Sequence, residues 1–400
     1  ASDVYKRQVM EKLWNKNYLR VMLVNFMMYF AFYLLTPLLP LYLSEQFGAS
    51  NNMIGVVLSG YVVAEIVARL FSGYVVDSFD RRGVLLWSLS LFFVFFAGYP
   101  VAGTLLMFAI IRTLHGLPFG AVTVANSTAA IDVLPSSRRN EGLGFYGLSN
   151  NLSMAIAPSA GVFIYKWVNS FEVLFWLSFF IAAGALFVAS RIELPKRERK
   201  ADKRPVSFDR FFLTRAWLLS LNIMFFAFSW GVLSSYIALY SKNVLGITGG
   251  TGTFFMLISI GLMASRLQGA KALRQGKLTQ NAAEGMCISL VAYFMFIAFP
   301  SMFSYYASAL LLGLGNGHLY PAFLNMFVGM AHHNERGTAN SSILVSWGVG
   351  MGIGILLGGV VSGSFGYSAA FWMNWGVNAI GVVLFFAATR RFFLTRKIEE

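Results

Sequence analysis

The 400-residue chain has little charge: Asp, Glu, Lys and Arg make up only 12% of it, whereas 57% is hydrophobic and 16% aromatic. A soluble domain of this length could not bury so much apolar surface in one core. Nearly charge-free stretches, such as 21–43 and 281–300, are long enough to cross a bilayer. The sequence therefore predicts an integral membrane protein with repeated spans and membrane lipid as its main solvent.

Metal-ligating and nucleophilic residues are also scarce. The chain has a single cysteine, Cys287, which can form no internal disulfide, and four histidines, of which only His332 and His333 are neighbours. It has no Gly-x-x-x-x-Gly-Lys-Ser/Thr loop to bind nucleotide phosphates. We therefore expect neither an enzyme nor a cofactor or metal site, and no transport driven directly by nucleotide hydrolysis.

Acidic residues number 17 against 31 basic ones, which gives a net charge of +14. The basic residues fall in alternate loops, as membrane insertion requires, so we expect no nucleic-acid partner. The side predicted to be cytoplasmic carries Lys12, Lys16, Arg20, Arg81, Arg82, Arg138, Arg139, Lys271, Arg274, Lys277, Arg336, Arg390, Arg391, Arg396 and Lys397, and the other side little more than Lys166 and Lys242. This asymmetry places both termini in the cytoplasm, and a bacterial inner membrane is the expected location.

Apolar length and the breaks between apolar runs predict an all-α protein of twelve transmembrane helices. They are expected at 18–43, 53–76, 83–101, 104–131, 142–165, 170–190, 216–241, 250–273, 281–300, 303–331, 338–362 and 369–389. The corresponding domains are a cytoplasmic segment at 1–17, six-helix bundles at 18–190 and 216–389, a basic linker at 191–215 and a tail at 390–400. Residues 1–9 precede Met10 and lack apolar periodicity, so we expect them to be non-native.

The two halves repeat one another in sequence. Asn25 and the aromatic run after it correspond to Asn222 and its run, and the interval 116–126 corresponds to 315–325. Two parallel six-helix repeats that enclose a site at the membrane midplane are typical of alternating-access transporters.

The loop between helices 2 and 3 resembles a signature of the major facilitator superfamily, and the resemblance extends from about Met10 to the end of the chain. The residues concerned are Gly73, Asp77 and the basic pair Arg81 and Arg82. In that family this cluster latches the two halves in the outward-facing state, which is the role that the resemblance implies here. The family also implies a monomer and the fold of two pseudo-symmetric bundles.

Helix 4 is similar to the family's helix-4 signature in the interval 112–120, which begins with Arg112; His115 replaces the usual glutamine. The resemblance implies that Arg112 takes part in proton coupling. Glu65, the only acid near the middle of a span, lies four residues before Arg69 on the same helix face. A carboxyl group inside a membrane and beside an arginine is a candidate for binding and releasing protons, although a purely structural ion pair is an equal alternative.

Helix 5 is similar to the antiporter signature of the same family in Gly147, Pro158 and Gly161. Helices 1, 4, 7 and 10, with contributions from 2, 5, 8 and 11, line the cavity in that family. The polar and aromatic residues that this implies for a substrate cavity are Asn25, Tyr29, Tyr33, His115, Asn126, Asn222, Trp230, Tyr236, His318, Tyr320, Asn325 and Trp347. Aromatic surfaces with a few amides suit an amphiphilic or organic solute.

The leading hypothesis is a secondary transporter that exports such a solute by alternating access, driven by protons. A proton-coupled symporter that imports a sugar or organic acid is the first alternative. A lipid-handling or non-transporting membrane protein on the same scaffold is the second.

Overall fold

The computed structural model describes residues 13–36, 38–49, 51–195, 211–247, 251–332 and 335–398, and these residues form an almost entirely helical protein. Most of the predicted linker, residues 1–9, Lys12 and His333 lie outside the described residues. The long helices are α1 (Lys16–Leu35), α2 (Asn51–Ser78), α3 (Arg81–Phe96), α4 (Leu105–Val133), α5 (Arg139–Val168), α6 (Phe171–Ser190), α7 (Trp217–Asn243), α8 (Thr251–Arg274), α9 (Leu278–Ala298), α10 (Met302–Gly329), α11 (Arg336–Phe365) and α12 (Tyr367–Leu384). They confirm the prediction of twelve long helices.

The predicted C-terminal end of the first helix is wrong. This helix was expected to run to residue 43, but α1 ends at Leu35 and a separate short helix follows at Leu39–Phe47. The sequence has prolines at 37 and 40, and proline lacks the backbone N–H that a continuous helix needs. A similar short helix, Gly98–Val101, follows α3, and Arg390–Arg396 extends the chain beyond α12.

Nine segments within the described residues are long and apolar enough to cross a membrane. Large hydrophobic side chains are exposed on many of them, including Trp87 at 74%, Phe180 at 66% and Leu356 at 71% exposure. Exposed apolar surface of this extent is the expected outside of a protein whose solvent is lipid.

The described chain divides into two compact units. The described residues of one unit fall within Ala1–Arg139, Ser149–Phe212 and Asn334–Ser341, and those of the other within Asn140–Leu148, Leu213–His333 and Ser342–Glu400. In the first unit, α4 packs against α2 and α3, and α6 packs against α1 and α3. In the second, α10 packs against α8 and α9, and α12 against α7 and α9, so the internal sequence repeat corresponds to a repeat of packing.

The contact between α2 and α4 depends on two glycines of α4. A Cβ atom on Gly116 would collide with the carbonyl oxygen of Tyr61, and one on Gly120 with the carbonyl oxygen of Glu65. Small residues let membrane helices approach closely enough for backbone to touch backbone. This close approach brings Glu65 and Arg69 on α2 beside the polar residues of α4.

We expect Gly120→Ala to destabilise the purified protein because its methyl group would also lie 2.9 Å from the Ala68 Cβ. Overpacking of this kind costs about 1–3 kcal/mol and should lower the melting temperature measured in detergent. Gly376→Ala in α12 is the matched control, because a Cβ there meets nothing within 4 Å and alanine is the better helix former. Equal melting temperatures for the two variants would contradict the proposed role of the α2–α4 contact.

Candidate functional site

The acid predicted to carry protons lies in a buried ion pair. Glu65 and Arg69, one helical turn apart on α2, form a salt bridge, and each residue is only 8% exposed. The Nε atom of Arg69 also donates to the Thr123 hydroxyl on α4 at 3.3 Å. Because the charges are shielded from solvent, their pairing and hydrogen bonding are what make them tolerable inside the bundle.

Arg112 lies on α4 in an aromatic environment. Its Cζ atom is 4.0 Å from the ring centroid of Tyr61, and Nη1 donates to the hydroxyl of Tyr99 at 2.9 Å. Among the described residues no carboxylate lies within ion-pair distance of this 4% exposed guanidinium. Cation–π attraction and a hydrogen bond therefore replace the acid that a buried arginine usually requires.

His115 belongs to the same polar group. Its Nδ1 lies 2.7 Å from the Tyr99 hydroxyl, which thus bridges His115 and Arg112. The imidazole is fully buried among the rings of Phe92, Phe95 and Phe96. Tyr99, Thr123 and Tyr61 were not among the predicted site residues, since the sequence alone does not show which helices α4 touches.

The predicted latch residues are only partly brought together. Asp77 accepts hydrogen bonds from the backbone N–H groups of Gly337 at 3.1 Å and Thr338 at 2.9 Å, both in the first turn of α11. Gly73 lies against the same turn, because a Cβ there would be 2.8 Å from the Thr338 Cα. A carboxylate at a helix N-terminus is stabilised by the unsatisfied N–H groups and the helix dipole.

Arg81 extends this cluster, whereas Arg82 does not. Arg81 donates to Asp77 at 2.8 Å and to both oxygens of Asp132 at 2.6 and 2.5 Å. From its position at the predicted cytoplasmic end of helix 4, the sequence predicts that Asp132 meets Arg138 or Arg139. In the structure it pairs with Arg81 instead. Arg82 turns away and donates to the carbonyl oxygen of Ser190 at 2.7 Å.

The second half has a counterpart to this ion-pair cluster. Its loop between α8 and α9 lacks an aspartate in the position of Asp77. Arg274, the last residue of α8, instead pairs at 3.1 Å with Glu141, which is buried at the start of α5. The first compact unit therefore contains an acid–arginine contact near the α2–α3 loop, and the second contains one near the α8–α9 loop.

Three of the four amides predicted for a substrate cavity donate hydrogen bonds to a neighbouring helix. Asn25 donates to the Ser149 hydroxyl at 2.8 Å, Asn126 to the Val21 carbonyl at 3.3 Å, and Asn222 to the Gly381 carbonyl at 3.0 Å. Asn325 donates within its own helix to the Pro321 carbonyl, at 2.8 Å. Since a buried amide needs hydrogen-bond partners, the interhelical contacts account for Asn25, Asn126 and Asn222 as groups that join helices.

The aromatic members of the predicted cavity differ from the amides because all of them are half-buried. Tyr29 stacks on Tyr33 with ring centroids 5.9 Å apart, and Tyr320 meets Trp347 edge-on at 5.3 Å. The remaining two are Trp230 and Tyr236, whose hydroxyl donates to the Ile355 carbonyl at 2.7 Å. These partly accessible rings are the predicted cavity residues with surface available for a ligand.

His318 and the helix 5 motif complete the predicted set. Nδ1 of the buried His318 lies 2.8 Å from Oδ1 of Asn281, and the amide nitrogen of Asn281 donates to the His318 carbonyl at 2.9 Å. Gly147 and Pro158 lie within α5. Gly161, on the same helix, lies directly against the carbonyl of Leu34 on α1.

Comparison with known proteins identifies the family. The model of the Major Facilitator Superfamily matches residues 21–283 and 282–397. The staphylopine export protein of Staphylococcus aureus is 24% identical over 369 residues, covering 89% of this chain and 91% of its own. The multidrug resistance protein MdtG of Escherichia coli is 26% identical over 403 residues, covering 94% and 95%.

A solved structure supports the same fold. The human organic anion transporter MFSD10 superposes with a TM-score of 0.78 at 18% identity, covering 92% of this chain and 98% of that one. Together with the apolar helices and the repeated packing of two six-helix sets, these matches show that the chain belongs to the Major Facilitator Superfamily and is an integral membrane transporter, not an enzyme.

Proposed function

We propose that this transporter exports a small amphiphilic or organic solute in exchange for protons. The observation that supports it best is the Glu65–Arg69 pair, a titratable carboxyl buried inside a membrane bundle. Ionisable groups in that position are costly, and they are usually retained for proton or ion movement. Two relatives with export or drug resistance in their names agree with the direction of transport.

In this mechanism Glu65 exists in two states. When it is ionised, its charge is balanced by Arg69, and the pair is neutral. When it binds a proton, Arg69 keeps its charge and its hydrogen bond to the Thr123 hydroxyl. Protonation therefore adds one positive charge to an interior that already contains Arg112.

That added charge gives the proton an effect on conformation. Two guanidinium groups in a low-dielectric bundle repel one another, and the repulsion favours any state of the protein that gives them more solvent or an anion. Arg112 is held by Tyr61 and Tyr99, so it provides a fixed charge against which the change at Glu65 acts. This is how we propose that proton binding biases the alternating-access cycle.

The solute is proposed to bind to the half-buried rings. Tyr29, Tyr33, Tyr320 and Trp347 present flat apolar faces with hydroxyl or indole N–H groups at their edges. Such surfaces favour amphiphilic or aromatic compounds over sugar phosphates, which require several arginines at the binding site.

The proposal also includes a bacterial inner membrane location, both termini and the 191–215 linker on the cytoplasmic side, and a monomer.

The direct test begins with a thermal-shift screen of the purified protein against drugs, metabolites and sugars. Each stabilising compound is then added to proteoliposomes containing a pH-sensitive dye. For an exporter that exchanges solute for protons, an imposed proton gradient drives the compound against the proton flow, and an outward compound gradient moves protons inward. Movement of compound and protons in the same direction would identify a symporter, and compound movement without proton flux would refute the coupling.

A further inference from the structure

Three arginines from three helices converge on the C-terminal end of α6. Arg20 of α1 donates through Nη1 to the carbonyl oxygen of Arg191 at 2.5 Å. Arg82 of α3 donates through Nη2 to the adjacent carbonyl, that of Ser190, at 2.7 Å. Arg191 itself lies over the ring of Phe187, with Cζ 5.1 Å from the centroid. Because α6 packs between α1 and α3, these contacts form one corner of the bundle, which we call the arginine corner.

The arginine corner has an excess of positive charge. Within the described part of the chain, none of its three guanidinium groups forms an ion pair with a carboxylate. Two acids lie two residues from these arginines in sequence. Glu193 takes part through its backbone N–H, which donates to Asn17 at 3.2 Å, and Asp80 accepts the Gly83 N–H at 2.7 Å. The carbonyl groups at the end of α6 offset part of the charge, since a helix C-terminus is partially negative. Each guanidinium has five N–H donors, so most of those on the exposed Arg82 and Arg191 face outward.

Apolar side chains lie deeper on the same three helices. Counting from the arginine toward the middle of each helix, Leu23 on α1 is 45% exposed, Trp87 on α3 is 74% exposed, and Phe187 on α6 is 64% exposed. Each helix therefore has a cationic side chain at its end and an exposed apolar side chain one or two turns further in. A phospholipid has the same arrangement, because its phosphate lies above its acyl chains.

We propose that the arginine corner binds the phosphate headgroup of an anionic phospholipid. Guanidinium groups bind phosphate in a bidentate manner, and the two carbonyl contacts hold Arg20 and Arg82 in place before any lipid arrives. A general excess of basic residues on one side of the membrane would require neither this convergence nor the lack of acidic partners. The exposed side chains below the arginines favour a lipid over free phosphate, because they offer acyl chains a surface.

The test compares lipids by thermal shift and native mass spectrometry of the detergent-purified protein. Phosphatidylglycerol should raise the melting temperature and remain bound to the wild type, and phosphatidylcholine should do neither. In R20Q/R82Q the phosphatidylglycerol concentration that gives the half-maximal shift should rise by at least about tenfold, because two cations near the headgroup are lost. R390Q/R391Q is the matched control, since it removes an exposed basic pair of the tail and should titrate as wild type.

Arg191→Gln separates binding from folding, because within the described residues the Arg191 side chain donates no hydrogen bond to α6 and lies only over the exposed ring of Phe187. Its loss leaves both carbonyl contacts intact. It should weaken lipid binding without lowering the melting temperature in lipid-free detergent. Wild-type titration of both R20Q/R82Q and Arg191→Gln would overturn the proposal. An equal shift from inorganic phosphate or glycerol phosphate would overturn the assignment to a lipid.

Discussion

In proteoliposomes, Glu65→Gln is expected to abolish solute-driven proton movement while solute exchange across the membrane continues. Glutamine has nearly the shape of the protonated acid but cannot release a proton, so the transporter should be held in one chemical state. The rate of transport driven by a proton gradient should fall by at least about tenfold, a difference of about 1.4 kcal/mol in the activation barrier. Counterflow of labelled solute, which needs no net proton transfer, should persist.

Two controls distinguish this result from simple damage. Removing one partner of a buried ion pair costs about 3–5 kcal/mol, so size-exclusion profiles and melting temperatures must be measured alongside transport. Glu284→Gln makes the same chemical change at an exposed acid and should leave proton flux unchanged. Within the described part of the chain, the Glu284 carboxylate accepts a hydrogen bond from Gln280 alone, at 3.1 Å. Proton flux at the wild-type rate in a folded Glu65→Gln protein would rule out Glu65 as the coupling group and favour a structural pair.

Asp77→Asn is expected to slow transport and to loosen the first turn of α11. The substitution removes the charge that Gly337, Thr338 and Arg81 stabilise together. A charge at a helix N-terminus contributes about 0.3–2 kcal/mol, and the broken ion pair with Arg81 adds to that loss. Hydrogen exchange should rise in peptides covering Gly337 and Thr338, because their amides lose a charged acceptor.

Asp80→Asn provides the matched control for this prediction. Asp80 lies three residues away and caps α3 by accepting the Gly83 N–H at 2.7 Å. Asparagine is an equally good N-cap, so this variant removes a neighbouring negative charge without losing the cap. Similar transport and exchange in the two variants would show that the Asp77 contacts have no role in the cycle.

The helices, their repeat and the Glu65–Arg69 pair could be predicted from sequence because each depends on local spacing. An acid and an arginine four residues apart must share a helix face, and the structure pairs them. The contacts of Arg112 could not be predicted in this way, since Tyr99 belongs to a short helix after α3. The same reason explains why Asp132 was assigned to nearby Arg138 or Arg139, although it pairs with Arg81, 51 residues away.

Residue type alone could not determine which asparagines line the predicted substrate cavity. Asn25, Asn126 and Asn222 were selected as polar groups on the helices that line the family's cavity. An asparagine inside a membrane bundle must be hydrogen-bonded wherever it lies, so one that ties two helices and one that binds a solute look alike in sequence. Only the partners Ser149, Val21 and Gly381 reveal the helix contacts.

Glu65 and Arg69 lie on a single helix, whereas Asp77 and Thr338 lie on different helices. The two contacts therefore respond differently when helices move. The spacing of Glu65 and Arg69 is fixed by one turn of α2, so a rigid displacement of that helix carries both residues along and leaves the pair unchanged. The contact of Asp77 with Thr338 spans 261 residues and is broken by any displacement between the segments that carry them. In the proposed mechanism, the Glu65–Arg69 pair thus changes when a proton binds, whereas the Asp77–Thr338 contact changes with the conformation of the protein.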